Sequence, residues 1–189
     1  YVKALELYRR LTTEFSVGET RYFPQATAQI VTITKPYVGI AVGNIFLPES
    51  EIQFSLNARI VRTFPFTLYK IVLTRDIQSG GSADADEGEG DSGDWLQKIS
   101  AQGKQAIKAW SRTVDTADHK PVHEQVRIDG KLPIGAYLLE ARSESVDAVR
   151  DVLLVSDATL VLKASGKEAL VFFSNALSSA PIANANVAV

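Results

Sequence analysis

The stretch Phe46–Leu73 shows the clearest alternation of hydrophobic and polar residues in the chain. Its first half places an apolar residue at every second position: Ile52, Phe54, Leu56, Ala58 and Ile60. A period of two is typical of a β-strand with one face in a core and one in water. Thr63–Pro65 interrupts the pattern, and a second run of strand formers, Phe66–Leu73, follows it. The pattern predicts a long antiparallel hairpin that needs an opposing layer to bury its apolar face.

Two helices are predicted before this stretch, because hydrophobic residues recur there at spacings of three and four. Tyr1–Phe15 carries such a stripe with charged residues opposite, which predicts an amphipathic helix. Tyr22–Ile33 begins after a break at Ser16–Gly18 and has Pro24 near its first turn. Residues 1–35 are therefore predicted to form a helical hairpin. The pair is either the end of a tetratricopeptide-like array or a plain hairpin packed on a sheet.

From residue 36 onward the pattern predicts short strands, and residues 36–155 are predicted to form one antiparallel β-sandwich. The strands expected beside the long stretch are Tyr37–Val42, Val122–Ile128, Ala136–Arg142 and Val149–Val155. After them, Ser165–Lys167 is predicted to be a tight turn between two apolar runs. We expect residues 156–189 to begin a second β-sandwich module whose partner strands lie beyond Val189.

An acidic segment interrupts the predicted sandwich. Residues 79–93 contain five glycines, no basic residue and little that is apolar, which predicts a flexible loop. After the loop, hydrophobic residues return at helical spacing, and Asp94 is placed to cap a first turn. The stripe consists of Trp95, Ile99, Ala106, Trp110 and Val114. Residues 94–114 are therefore predicted to form one inserted helix in a mainly β fold.

The composition excludes several classes of function. The 189 residues include 20 basic and 22 acidic side chains, and the formal charge of −2 argues against binding to nucleic acid or to a membrane surface. The absence of cysteine excludes disulfides, thiolate metal sites and cysteine nucleophiles. No apolar run is long enough for a membrane span. Because the chain has no methionine, we expect it to be an internal fragment of a longer protein.

Two groups of residues suggest metal binding, and both are better explained without a metal. The acidic residues of the loop do not match the spacing of a helix-loop-helix calcium site, and a solvated loop explains them. They are Asp84, Asp86, Glu87, Glu89, Asp91 and Asp94. His119 and His123 are four residues apart, but Pro121 between them prevents the helix that would place both on one face.

Other candidate chemistry is equally weak. The serines lack a nucleophile elbow, and Gly80–Gly81 is followed by no lysine and opens no predicted helix. Trp95 and Trp110 form either a binding groove or, as helical spacing favours, part of the core. Phe64, Phe66 and Tyr69, beside Arg59 and Arg62, form either a partner surface or a packed hairpin face. We predict no catalytic, cofactor-binding or metal-binding residue, no cofactor and no enzymatic activity.

The order of these segments resembles the macroglobulin-like domains of bacterial α-2-macroglobulin family proteins. In that family a strand ending in Arg-Asn precedes a strand with a tyrosine. Arg59 and Tyr69 match this pattern, whereas Ile60 replaces the asparagine. The sequence LPIGAY at Leu132–Tyr137 is similar to the motif that closes such a domain.

The resemblance continues into the next predicted module. Val155–Asp157 looks like the junction between two domains of the family. Pro181–Val187 is similar to a segment of the domain that follows, although both glycines of that pattern are replaced. In all, the resemblance extends from Phe46 to Val189, with a gap at the acidic loop.

The resemblance implies an antiparallel β-sandwich that serves as a structural module in a large protease-trapping inhibitor. Its partners would be neighbouring domains of the same chain and, through the parent protein, target proteases, in the periplasm or at the cell surface. Relatives often carry a thioester with a cysteine, which this chain lacks, and His123–Gln125 is no substitute for it. The alternative is an extracellular sandwich that binds a glycan or a protein through the region of Trp95 and Trp110.

Overall fold

The computed structural model describes residues 1–43, 45–76, 96, 99–166 and 168–184, and in these residues the fold is mainly β. The acidic loop predicted at 79–93 lies outside them. The helices are α1 (Val2–Glu14), α2 (Phe23–Thr34) and the single turn α3 (Leu73–Asp76). The strands are β1 (Tyr37–Ala41), β2 (Ile45–Phe46), β3 (Ile52–Arg59), β4 (Thr63–Ile71), β5 (Ala106–Thr113), β6 (Val122–Ile128), β7 (Gly135–Ala141), β8 (Val149–Val155), β9 (Ala158–Ser165) and β10 (Glu168–Asn175).

Two sheets face each other and form the predicted β-sandwich. The first sheet has the order β1-β3-β6 and is antiparallel throughout. The second has the order β2-β8-β7-β4-β5 and is antiparallel except for the short pairing of β2 with β8. Strands β9 and β10 form a separate antiparallel hairpin after the sandwich. Residues 37–155 thus supply both layers.

The long hairpin predicted for Phe46–Leu73 is wrong, although both of its strands exist. Strand β3 lies in the first sheet and β4 in the second, so the chain crosses from one layer to the other between them. At this crossing Ile60 has φ of +69°, a left-handed conformation that is unusual for a β-branched residue. Phe54 and Phe66 then meet across the core with ring centroids 5.2 Å apart. The opposing layer required by β3 therefore begins with β4 itself.

The helix predicted at 94–114 is wrong where the structure describes a strand, at Ala106–Thr113. This strand pairs with β4, and Trp110 lies opposite Phe66. The helical stripe was misleading because an edge strand buries few side chains, so its exposed positions show no regular alternation. Ile99, before the strand, is buried against the outer face of the second sheet.

Hydrophobic residues pack on both faces of the second sheet. Between the sheets, Phe54, Phe64, Phe66, Leu68 and Leu139 are all at most 1% exposed. A smaller cluster covers the outer face of the second sheet: Ile71, Ile99, Ala101, Ala136 and Leu138. Because β7 is covered on both sides, its residues from Ala136 to Ala141 are buried without alternation.

Helices α1 and α2 lie where the sequence predicted them and pack against each other. Leu5 of α1 and Ala26 and Ile33 of α2 are the buried residues of this pair. The guanidinium Nη1 of Arg59, at the end of β3, donates a hydrogen bond of 2.6 Å to the carbonyl of Thr32. This bond connects the helical pair to the sandwich. Within the described residues, no helix has the length and apolar character needed to cross a membrane.

Candidate functional site

The two histidines lie on different structural elements. His119 ends a 3-10 turn, Ala117–His119, and His123 lies on β6, where its Nδ1 is hydrogen-bonded to Oδ1 of Asn57 on β3. In the part of the chain that the structure describes, no three His, Cys, Asp or Glu side chains are grouped to hold a metal ion. The acidic residues between 84 and 94, and Gly80 and Gly81, lie outside that part.

The aromatic residues proposed for a partner surface lie mostly in the core. Phe64 and Phe66 are fully buried, and Trp110 stacks on Phe66 with centroids 5.4 Å apart. Lys108 lies above the indole of Trp110, with its Nζ 5.9 Å from the ring centroid. Trp110 is thus a packing residue, which favours the core interpretation over a binding groove. Trp95 lies outside the described residues.

The strongest group of charged residues surrounds Glu140, which sequence reasoning did not identify. Glu140 is fully buried on the outer face of β7. Its Oε1 accepts a hydrogen bond of 2.6 Å from Nε of Arg142, and its Oε2 accepts one of 2.7 Å from Nε of Arg150 on β8. The hydroxyl of Tyr69, on β4, is 3.5 Å from Oε1. The carboxylate therefore connects three neighbouring strands of the second sheet.

Two opposing effects set the ionisation of Glu140. Burial raises its pKa, but the hydrogen bonds and charges of Arg142 and Arg150 more than compensate, so the pKa lies below its usual value. The same contact raises the pKa of Arg142. Glu140 is therefore a carboxylate at neutral pH and is paired with two cations. These properties suit a structural or positioning role.

A second ion pair joins residues that lie before and after positions 77–98 in the sequence. Asp76, the last residue of α3, accepts a hydrogen bond of 2.8 Å from the backbone N–H of Val72 and forms an ion pair of 2.9 Å with Lys104. Both side chains of the ion pair are largely buried. The hydrogen bond from Val72 and the contacts with Arg75 and Lys104 hold the pKa of Asp76 well below its usual range. This pair joins the chain just before and just after residues 77–98.

Two adjoining depressions lie at the end of the sandwich where β3 crosses to β4. One, of about 710 Å³, is lined by the crossing and the other, of about 870 Å³, by the α2–β1 linker. Both share the β7–β8 turn, residues 142–145, and we call the combined surface the basic valley. Its charged lining residues are Lys35, Arg62, Arg142, Arg150, Glu144 and Asp147. Four cations and two carboxylates give this surface a formal charge of +2, or +1 when buried Glu140 is included. The surface is therefore positive, whereas the chain as a whole has a formal charge of −2.

At the opposite end of the sandwich, the hairpin β9–β10 adjoins an apolar groove of about 770 Å³. The groove lies between the hairpin residues Leu160 and Phe173 and the sandwich residues Ile134 and Leu154. Only Ser156 and Asp157 separate β8 from β9, and the N–H of Ser156 donates to the carbonyl of Phe46 at 2.9 Å. The connection between sandwich and hairpin is therefore short and hydrogen-bonded.

The hairpin exposes large apolar side chains on both of its faces. Leu160 and Leu162 are 55% and 60% exposed on one face, and Leu170 and Phe172 are 64% and 47% exposed on the other. An isolated two-stranded hairpin is at best marginally stable in water. The second module that the sequence predicts for residues 156–189 stays a prediction, and the exposed apolar side chains of the hairpin are consistent with it.

The comparisons with known proteins find similarity in structure alone. No family model matches the chain, and no curated protein matches it. The chain is similar to a crystal structure of native α-2-macroglobulin from Escherichia coli that spans domains MG0-NIE-MG1. The sequence identity is 14% and the TM-score is 0.49. The match covers 78% of this chain and 48% of the other, so this chain spans about half the length of that fragment. It is also similar to a structure of the same protein that spans domains NIE-MG1, with 14% identity, a TM-score of 0.46, and coverage of 78% and 73%.

Proposed function

We propose that this chain is a structural β-sandwich module of a large bacterial α-2-macroglobulin-like protein. Its role would be to hold the bait and capture domains of the parent protein in register and to transmit the closure that follows cleavage of the bait. The module itself performs no chemistry, and its partners are neighbouring domains and, through the parent, target proteases. An extracytoplasmic location belongs to the same proposal.

The observation that carries the proposal is the direct passage from the sandwich into an apolar hairpin. Strand β8 continues into β9 through only two residues, and the hairpin exposes large apolar side chains on both of its faces. This arrangement suits a module in a series, in which the next module begins without a flexible linker. A self-contained binding domain has no need of such a hairpin.

The motifs of the family resemblance take structural roles consistent with the proposal. Leu132 is buried, and the hydroxyl of Tyr137 donates a hydrogen bond of 2.6 Å to the carbonyl of Pro133. The motif at 132–137 thus fixes the entry into β7, the central strand of the second sheet. Val155–Asp157, the segment similar to a domain junction, lies where the sandwich ends and the hairpin begins.

The test uses the full-length parent protein and the protease it intercepts. A trap encloses its target, so we expect the treated protease to lose activity on a large protein substrate and keep activity on a small peptide substrate. The Leu132→Ala change, which loosens the module, should weaken this difference, whereas an exposed change such as Arg9→Ala should not. Equal loss of both activities, or no loss of either, would reject the trapping role.

A further inference from the structure

We propose that the basic valley binds a carboxylate-rich, extended segment of a protein partner. This inference does not depend on the proposed function. It rests on the position of the arginine side chains and on the charge of the surface that they line.

Arg142 lies at the centre of the valley and contributes to both depressions. Its Nε is bound to buried Glu140, while its side chain remains 59% exposed. Within the described chain, its two terminal guanidinium nitrogens form no hydrogen bond. A buried carboxylate that holds Nε fixes the plane of the guanidinium. It leaves the two terminal nitrogens, which form a fork of donors, available for a ligand. A fork of this kind binds carboxylates with two parallel hydrogen bonds.

Arg62 and Lys35 provide further positive charge on either side of Arg142. Arg62 lies at the crossing between β3 and β4, and Lys35 follows α2. Both are exposed, and neither forms an ion pair with any residue that the structure describes. Surface cations without a local partner are available for an incoming anion and increase its rate of association.

The valley favours an extended peptide over a single small anion. Its cations come from three separate segments, and the two depressions are joined along the turn at 142–145. The hydroxyl groups of Thr63, Ser143 and Ser145 add donors between the charges. A peptide with carboxylates at intervals matches cations that come from separate segments along a surface. Glu144 and Asp147 would repel a uniformly acidic segment locally, so spaced carboxylates fit better.

The experiment measures binding of a fluorescent peptide of alternating glutamate and glycine by anisotropy, with the glutamine–glycine peptide as its control. We expect only the acidic peptide to bind, with an affinity that falls about tenfold between low and physiological salt. The double change Lys35→Gln and Arg62→Gln should weaken binding about threefold to tenfold. These side chains make no hydrogen bond in the described structure, so the variant should remain folded.

Two more variants separate the fork from net charge. Arg142→Lys keeps the charge but loses the fork, and we expect about threefold weaker binding. Arg127→Gln removes an exposed charge that pairs with Glu51 at the opposite end of the sandwich, and should leave binding unchanged. The proposal is overturned if the acidic peptide does not bind, if Arg127→Gln weakens binding as much as the valley variants, or if inorganic phosphate binds and the peptide does not.

Discussion

Replacement of Phe66 by alanine tests whether the aromatic core holds the two sheets together. Phe66 is fully buried and contacts three other rings, with centroid distances of 5.2 Å to Phe54, 5.4 Å to Trp110 and 6.3 Å to Phe64. Truncation of a buried phenylalanine costs about 3–5 kcal/mol, through lost transfer free energy and a residual cavity. Each well-oriented aromatic pair adds about 0.5–1.5 kcal/mol. The measured range for buried phenylalanines already includes such contacts, so the two well-oriented pairs place the expected loss in the upper part of that range, at about 4–5 kcal/mol in the free energy of unfolding.

The assay is urea unfolding, followed by tryptophan fluorescence and by circular dichroism. Trp110 stacks on Phe66 and therefore reports on this part of the core. The matched control is Phe172→Ala, which removes the same side chain from an exposed position on the hairpin and should cost about 1 kcal/mol or less. If the two changes cost the same, or if Phe66→Ala costs less than about 2 kcal/mol, the core is not organised around this ring.

Three further predictions test other parts of the structure. Folding lowers the pKa of Glu140, so the stability that its carboxylate contributes is present above its unfolded pKa of about 4.3 and is lost as the pH falls below that value. In an acid titration of the free energy of unfolding, the Glu140→Gln variant should be less stable than the unchanged protein at pH 7 and should lose stability less steeply. A titration curve that the substitution leaves unchanged would contradict this. Ser55 on β3 lies opposite Gln125 on β6, so cysteines introduced at these two positions should form a disulfide on oxidation. A β3–β4 hairpin would instead bring Ser55 and Thr67 together, and cysteines at those positions should stay reduced, as a gel-shift assay would show. Deletion of residues 79–93 should leave the melting temperature nearly unchanged if they form the predicted loop, and a large fall would show that they pack on the fold.

The sequence predicted the buried faces of the strands more accurately than it predicted which strands are neighbours. The alternation in β3 correctly predicted its inward residues, because a period of two depends only on one strand and one core. It did not predict the partner of β3, because a hairpin and a crossing between layers bury the same side chains. The left-handed backbone of Ile60, which allows the crossing, has no clear signal in a β-branched residue.

The charged group around Glu140 was missed for a similar reason. Its members come from β4, β7 and β8, and a single sequence does not reveal that these strands are adjacent. Glu140 within the apolar segment 136–142 was a usable signal, because a carboxylate between buried residues requires cationic partners. Arg142 is close in sequence, whereas Arg150 becomes a neighbour only through the pairing of β7 with β8.

The crossing at Ile60 also has a consequence for the order of folding. Phe54 and Phe66 belong to opposite layers but are close in sequence, so their rings can meet after closure of a short loop, which costs little chain entropy. Most sandwiches must wait for distant strands before the two layers touch. Here we expect the first contact between the layers to form locally and to serve as a nucleus onto which β6, β7 and β8 assemble. Truncation of Phe54 or Phe66 should therefore slow refolding more than truncation of Leu153 does.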